Sequence, residues 1–230
     1  MTELTIDTLG GRGDGVAHDD AGPIYVPLTV PADRVEATIT GRRGDARVAR
    51  LDKVLRPGPA RVEPPCPHFG QCGGCAMQHL ATETYGEWKL DILRQALARR
   101  GLDNVPIRDM IAVPPASRRR ARFSARHTRH GLHLGFNAPG SHDIVNLQTC
   151  HILVPAIVAV LDDVRALLSE LLPGGGKADV QITETETGLD LWLVVNLRRN
   201  AQTDMRLAEF AQSLDLARLS MRLRPDVVMV

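Results

Sequence analysis

The sequence predicts an α+β protein that opens with a small closed β-barrel of the OB type. Three observations predict it. Residues 1–58 are short β-branched runs cut by Gly, Asp and Pro, helix-period apolar stripes recur further on, and paired alternating strands lie between those helices.

The runs "LTIDTL", "GVAHDD", "PIYVPLTV" and "VEATITGRRGDARVARLDKVL" supply about five short strands. Closing them into a barrel would remove edges that such short strands otherwise expose. "RPGPARVEPP" then reads as a stiff connector, and the segment 59–80 as a cysteine-bearing loop. Next, "ATETYGEWKLDILRQALARRG" places Tyr85, Trp88, Ile92 and Ala96 on one face. This predicts a helix over Glu83–Arg100 within a segment 81–104, with Thr82 or Thr84 capping its start and Gly101 its end. Its wide stripe needs a partner that the neighbouring sequence does not supply.

Residues 105–230 read as a second α+β domain. "IRDMIAV" is expected to be a strand, and "RRARFSARH" and "LHLGF" a hairpin across "TRHG". "VPAIVAVLDDVRALLSELL" predicts a helix ending at Pro173, "ADVQITETE" with "LDLWLVVNLR" a further hairpin, and "TDMRLAEFAQSLD" a third helix. The chain stops on an apolar run, Val227 to Val230, with no signal that finishes an element.

At 230 residues with 43% hydrophobic composition, the chain can bury substantial cores. No apolar run approaches the ~20 residues of a membrane span, and the first residues lack a secretory signal's order. The expected compartment is therefore the cytoplasm, where thiols stay reduced. A net charge of +1 excludes a uniformly basic nucleic-acid coat.

The distribution of charge says more. No acidic residue occurs between Asp109 and Asp143, while Arg118, Arg119, Arg120, Arg122, Arg126 and Arg129 all fall there. Strand side chains repeat every two residues, so Arg118, Arg120, Arg122 and Arg126 share one parity and would form a row on one face. Such a row suits phosphate binding. Its plainer reading is a solvated face balanced by acids elsewhere.

In "CPHFGQCGGCAMQH", Cys66, Cys72 and Cys75 lie within ten residues, and the fourth cysteine, Cys150, lies far downstream. Gly73 and Gly74 permit a tight turn that directs amides at sulfur. Three plus one thiolates suit a 4Fe-4S cube, whereas zinc more often draws on two paired knuckles; zinc and a redox dithiol stay open as alternatives. His68, His79 and His151 stand beside ligands rather than among them.

This motif, with the later "GFNAPGSHDIVNLQTCHIL", resembles the RNA (uracil-5-)-methyltransferase family, most closely its branch acting on 23S ribosomal RNA. Cys66, Cys72, Cys75 and Cys150 match that family's 4Fe-4S ligands, and Gln78 and His79 its Gln-His pair. "GRGDGVAHDDAGPIYVP" is similar to the start of a TRAM domain, an OB-like RNA-binding barrel. The likeness spans roughly residues 5 to 200, with Asn146 and His151 where an acid and a proline are usual. It implies a TRAM barrel followed by an α+β iron-sulfur domain, with the Rossmann-like methyltransferase domain absent from this chain.

The resemblance further implies RNA, 23S ribosomal RNA in particular, as partner, with S-adenosylmethionine as cofactor only in the full-length enzyme. No glycine-rich cofactor loop follows a strand here, and all four cysteines are assigned to the cluster, leaving no catalytic residue. The expectation is an RNA-gripping portion that does not methylate alone, completed by a missing or separate methyltransferase domain against which the stripe of Tyr85, Trp88 and Ile92 would pack. The alternative is a stand-alone RNA-binding accessory protein carrying an iron-sulfur cluster or zinc.

Overall fold

Two β-sheets organise the chain in the computed structural model, which describes residues 1–197 and 200–223. Contacts divide the chain into two units, Met1–Gly70 with Cys75–Ala112, and Gln71–Gly74 with Val113–Val230.

The first unit holds β1 (Thr2–Thr5), β2 (Thr8–Leu9), β3 (Gly15–Asp19), β4 (Gly22–Val26), β5 (Arg34–Arg43), β6 (Ala46–Arg56) and α1 (Thr82–Ala98). Its sheet runs β1-β5-β6-β4-β3-β2. Alternation along β4 and β5 turns Ile24, Val26, Val35 and Ala37 into a small core with Leu4, Ile6, Ala17 and Ala49.

This corrects the expected closed TRAM barrel. The two end strands are short pieces of one stretch, four and two residues long, and they pair with β5 and β3 rather than with each other. Between them the chain bends at Ile6, whose amide and carbonyl bond to Asp33 and Ala32 in a loop, so the hydrogen bonds that would continue a ladder are spent there.

Helix α1 begins at Thr82 after Ala81, with no side-chain cap at that position. It ends in a left-handed Gly101 (φ 71°), where the Gly101 amide donates to Ala98 and that of Leu102 to Leu97, a Schellman arrangement that satisfies the last carbonyls. Trp88 is half-buried, and its Nε1 donates to the Gly10 carbonyl at 3.3 Å. The segment 107–113 is not a strand: Ile111 and Val113 are exposed, and the prolines at 114 and 115 remove two ladder donors.

The second unit holds β7 (Arg120–Thr128), β8 (Gly131–Gly135), α2 (Pro155–Ala159), α3 (Leu161–Leu171), β9 (Lys177–Thr185), β10 (Gly188–Val195), α4 (Ala201–Ser213) and β11 (Arg218–Leu223). The sheet order is β11-β10-β9-β7-β8, with β11 parallel to β10 and the other pairs antiparallel. One face carries Phe123, Leu134, Val180, Ile182, Leu191 and Leu193, all fully buried with Val164, Leu167 and Leu168 of α3 and Phe210 of α4. The predicted single helix over 154–172 breaks at Val160 (φ −92°, ψ 0°), and Ile157 before the break and Leu161 after it are both buried. The segment "RLSMRL" is a strand not predicted above, although its polar and apolar residues alternate, and the apolar run 227–230 lies outside the described residues.

The fold is therefore two sheets with helices rather than a barrel followed by a metal-organised domain. The second unit has an apolar core of its own, and among the described residues no three His, Cys, Asp or Glu side chains converge as a metal centre requires.

Candidate nucleic-acid interface

The polar face of the second sheet is built by alternation. Along β7, Ala121, Phe123 and Ala125 are buried, so Arg120, Arg122 and Arg126 project to the other side and are exposed. Directly opposed residues on neighbouring strands share a face, so the registers define lateral rows. Arg120 lies beside Thr183, then Asp190, then Arg218. Arg122 lies beside Gln181, then Trp192, then Ser220. Arg126 has Lys177 on one side and His133 on the other.

Two carboxylates temper this face. Asp179 sits 3.3 Å from Arg122 Nη2, and Asp190 accepts from Arg218 Nε at 2.9 Å. The Arg218 guanidinium holds the Asp190 carboxyl below its usual range, and Asp190 in turn raises Arg218. Both pairs are too exposed on the arginine side to add much stability, since such pairs contribute about 0–1 kcal/mol. Their effect is to orient guanidinium groups on a face that also presents Trp192. The direct neighbours of Trp192 are Gln181 and Ser220, so the ring can stack a base while the arginines elsewhere on the face neutralise phosphates.

The sequence-predicted arginines divide accordingly. Arg120, Arg122 and Arg126 come together on the sheet. Arg118 precedes β7, bridges Leu153, donates from Nε to the Arg120 carbonyl at 3.0 Å and places its guanidinium 5.8 Å from the Phe136 ring centre. Arg119 has the opposite parity and sits 3.3 Å from Glu184. Arg129 occupies the hairpin turn, its Nε 2.9 Å from His130 Nε2. Sequence reasoning missed Lys177, Arg218 and Trp192. The signal for Trp192 was present, because "LDLWLVV" sets it on the parity of Asp190, away from Leu191 and Leu193.

Of the four cysteines, Cys72 is buried and Cys66, Cys75 and Cys150 are half-buried. Cys72 is buried in the apolar core of the second unit, and Cys150 packs against that core; Cys66 and Cys75 belong to the first unit. The Gly74 amide donates to Cys72 Sγ at 3.4 Å, the bond that the "CGGC" spacing predicts for a thiolate. A Cβ at Gly73 would lie 2.7 Å from the Asn137 carbonyl oxygen, so glycine is required there. The donor chemistry and this one amide suit a soft metal, while the side chains as placed form no preassembled centre.

In the first unit, Asp33 is fully buried and accepts amide bonds from Gly58 and Val30, both at 2.8 Å, while Arg61 Nη2 reaches its Oδ2 at 2.6 Å and the Leu28 carbonyl at 2.8 Å. Burial pushes the Asp33 carboxyl up, but Arg61 and the two amides outweigh it and hold the group below its ordinary value. His79 is buried against Phe69, its Nε2 3.3 Å from the Thr29 carbonyl oxygen; burial lowers its pKa, and the Thr29 contact only partly offsets that. This bracket fastens the connector after β6 to the loop before β5. Its hydrogen bonds run within the unit, which gives it a structural part.

Comparison with known proteins shows what the chain is similar to. No family model matches the chain. It is 40% identical over 218 residues to an uncharacterized RNA methyltransferase of Brucella suis, covering 95% of this chain and 51% of the relative. It is 33% identical over 217 residues to a 23S rRNA (uracil(1939)-C(5))-methyltransferase of Halomonas elongata, covering 93% of this chain and 45% of that one. The chain thus spans about half the length of the curated relatives it matches. Among solved structures, Pyrococcus abyssi tRNA (uracil-54, C5)-methyltransferase in complex with S-adenosyl-L-homocysteine matches with a TM-score of 0.64 at 18% identity, over 99% of this chain and 52% of that chain. That likeness establishes the fold. The homologues are RNA methyltransferases, and no helix of the described residues is long and apolar enough to cross a membrane.

Proposed function

We propose that this chain is the RNA-gripping N-terminal portion of an S-adenosylmethionine-dependent 23S rRNA (uracil-5-)-methyltransferase, acting in the cytoplasm and unable to methylate alone. The observation that carries it is the exposed sheet face, where Arg120, Arg122 and Arg126 line one strand and Trp192 stands in the Arg122 row. Relatives named as RNA methyltransferases supply the reaction class. In the complete enzyme a methyl group would pass from the cofactor to uracil C5. The residues described here would hold the RNA backbone and stabilise a base turned out of its stack. No residue of this chain is assigned a catalytic role.

Within this reading, Cys66, Cys72, Cys75 and Cys150 are proposed as the thiolate ligands of a 4Fe-4S cluster with a structural role, supported by their spacing and by the Gly74 amide on Cys72. Anaerobic purification should give a brown protein containing iron and sulfide. A colourless, iron-free preparation overturns this part.

The RNA reading is tested by an Arg120→Gln, Arg122→Gln, Arg126→Gln triple variant in anisotropy titrations against RNAs of unrelated sequence. Phosphate contacts carry little sequence information, so affinity should fall by a similar factor for each RNA and its salt dependence should flatten. Unchanged binding would leave the arginines as a solvated face.

A further inference from the structure

At one end of the arginine face, β7 and β9 frame a cavity of about 380 Å³ lined by Ser124, Arg126, Asn137, His142, Ile144 and Lys177, among others. Small-ligand sites begin at about 300 Å³, so the space exceeds what a lone anion needs.

Two features of its walls call for a ligand. Arg126 and Lys177 are direct cross-strand partners, and His133 is the partner of Arg126 on its other side. Like charges in register repel, and the rest of β7 avoids the arrangement: Arg120 opposes Thr183 and Arg122 opposes Gln181. The acid in the wall, Asp179, lies 3.3 Å from the Arg122 guanidinium. An anion seated between Arg126 and Lys177 would turn a repulsive pair into a clamp.

The second feature is Asn137. Its backbone is fixed, the carbonyl accepting from Gly73 and the residue bridging Ile144, yet its side-chain oxygen is buried with no hydrogen-bond partner. A buried amide oxygen left open is costly, and Asn137 is one of the residues that line the cavity. Ile144 beside it offers apolar surface to a ring.

We propose that this cavity holds one nucleotide of a single-stranded RNA, with its phosphate between Arg126 and Lys177 and an N–H on its base edge donating to Asn137. The inference rests on the RNA-binding reading of the sheet face and extends it from a charged surface to a seat for a single nucleotide.

The test uses the full chain and a fluorescein-labelled hexauridylate, with affinity followed against salt. Lys177→Gln, at an exposed strand position, should lower the slope of log K against log salt by about 0.7, the value for one phosphate contact on a single strand. Asn137→Ala should weaken binding about ten-fold while leaving that slope unchanged, because a base contact releases no counterion. If Asn137→Ala fails to fold, 4-thiouridine RNA irradiated on the wild-type chain should cross-link to the peptide carrying His142 and Ile144. Retained RNA binding that Arg120→Gln and Arg122→Gln weaken, with Lys177→Gln indistinguishable from wild type, would overturn the cavity assignment alone. Absence of RNA binding by the wild-type chain would overturn the underlying reading with it. Inorganic phosphate displacing the RNA as effectively as uridine monophosphate does would reduce the site to a simple anion hole and also refute the proposal.

Discussion

Replacing Asp33 with alanine should be among the most damaging single changes in the first unit. The carboxylate is fully buried, and its removal strips a partner from the Gly58 and Val30 amides and from Arg61, whose side chain is only 19% exposed. Deleting one member of a buried ion pair costs about 3–5 kcal/mol, because the remaining charge stays desolvated and unpaired. At a urea m-value of about 2 kcal/mol/M, the unfolding midpoint should drop by roughly 2 M. Trp88 fluorescence in a Trp192→Phe background reports on this unit, since the chain has two tryptophans. The pH dependence supplies a second reading. Asp33 has a folded pKa below its unfolded value, so its contribution is complete above about pH 4 and disappears as pH falls through the folded value. Asp33→Asn should lack that acid limb. A loss under 1 kcal/mol, or an unchanged limb in the Asn variant, would refute the claim that this bracket fastens the connector.

His79 should give a separate limb at higher pH. Its folded pKa lies below 6.5, so first-unit stability should be full above that value, fall as pH drops through the folded pKa, and lose this dependence in His79→Gln, as followed by urea midpoints between pH 7.5 and 5. In the second unit, Gly135→Ala would place a Cβ 1.9 Å from the Val145 carbonyl oxygen and 3.1 Å from the Leu147 amide, both backbone atoms of the segment paired with β8. A cost of about 2–3 kcal/mol is expected, read as a lowered thermal midpoint in the Trp192 signal, and a neutral effect would mean that this segment is not held against β8.

Much of the local structure was legible because it depends on short-range patterning. The hairpins at Thr128–Gly131 and Thr185–Gly188, the existence of α1 and the parity of Arg120, Arg122 and Arg126 follow from periods of two and 3.6 residues, whereas the stripe expected on α1 has no buried member and Ala96 is exposed. What failed depends on long-range pairing. Barrel closure turns on where the end strands find partners, and the bend at Ile6 is set by a loop near Asp33. β11 alternates strictly as Arg-Leu-Ser-Met-Arg-Leu, but it enters the sheet by pairing parallel to β10 across a helix, a long-range partnership that its six residues do not specify. Residues 107–113 look like a strand by composition, yet no neighbouring edge pairs with them and they lie exposed. The site shows the same division. Its arginines were visible in one run of sequence, whereas Lys177 and Trp192 join them only through the β7–β9–β10 register.

The most direct test of the account is Trp192 emission in a Trp88→Phe chain titrated with single-stranded RNA. Stacking of a base on the ring should quench and shift that emission at the same RNA concentration at which anisotropy reports binding, and added salt should reverse both together. RNA that binds while the Trp192 signal stays constant would place the interface elsewhere on the protein and contradict the assignment of the β7–β9–β10 face.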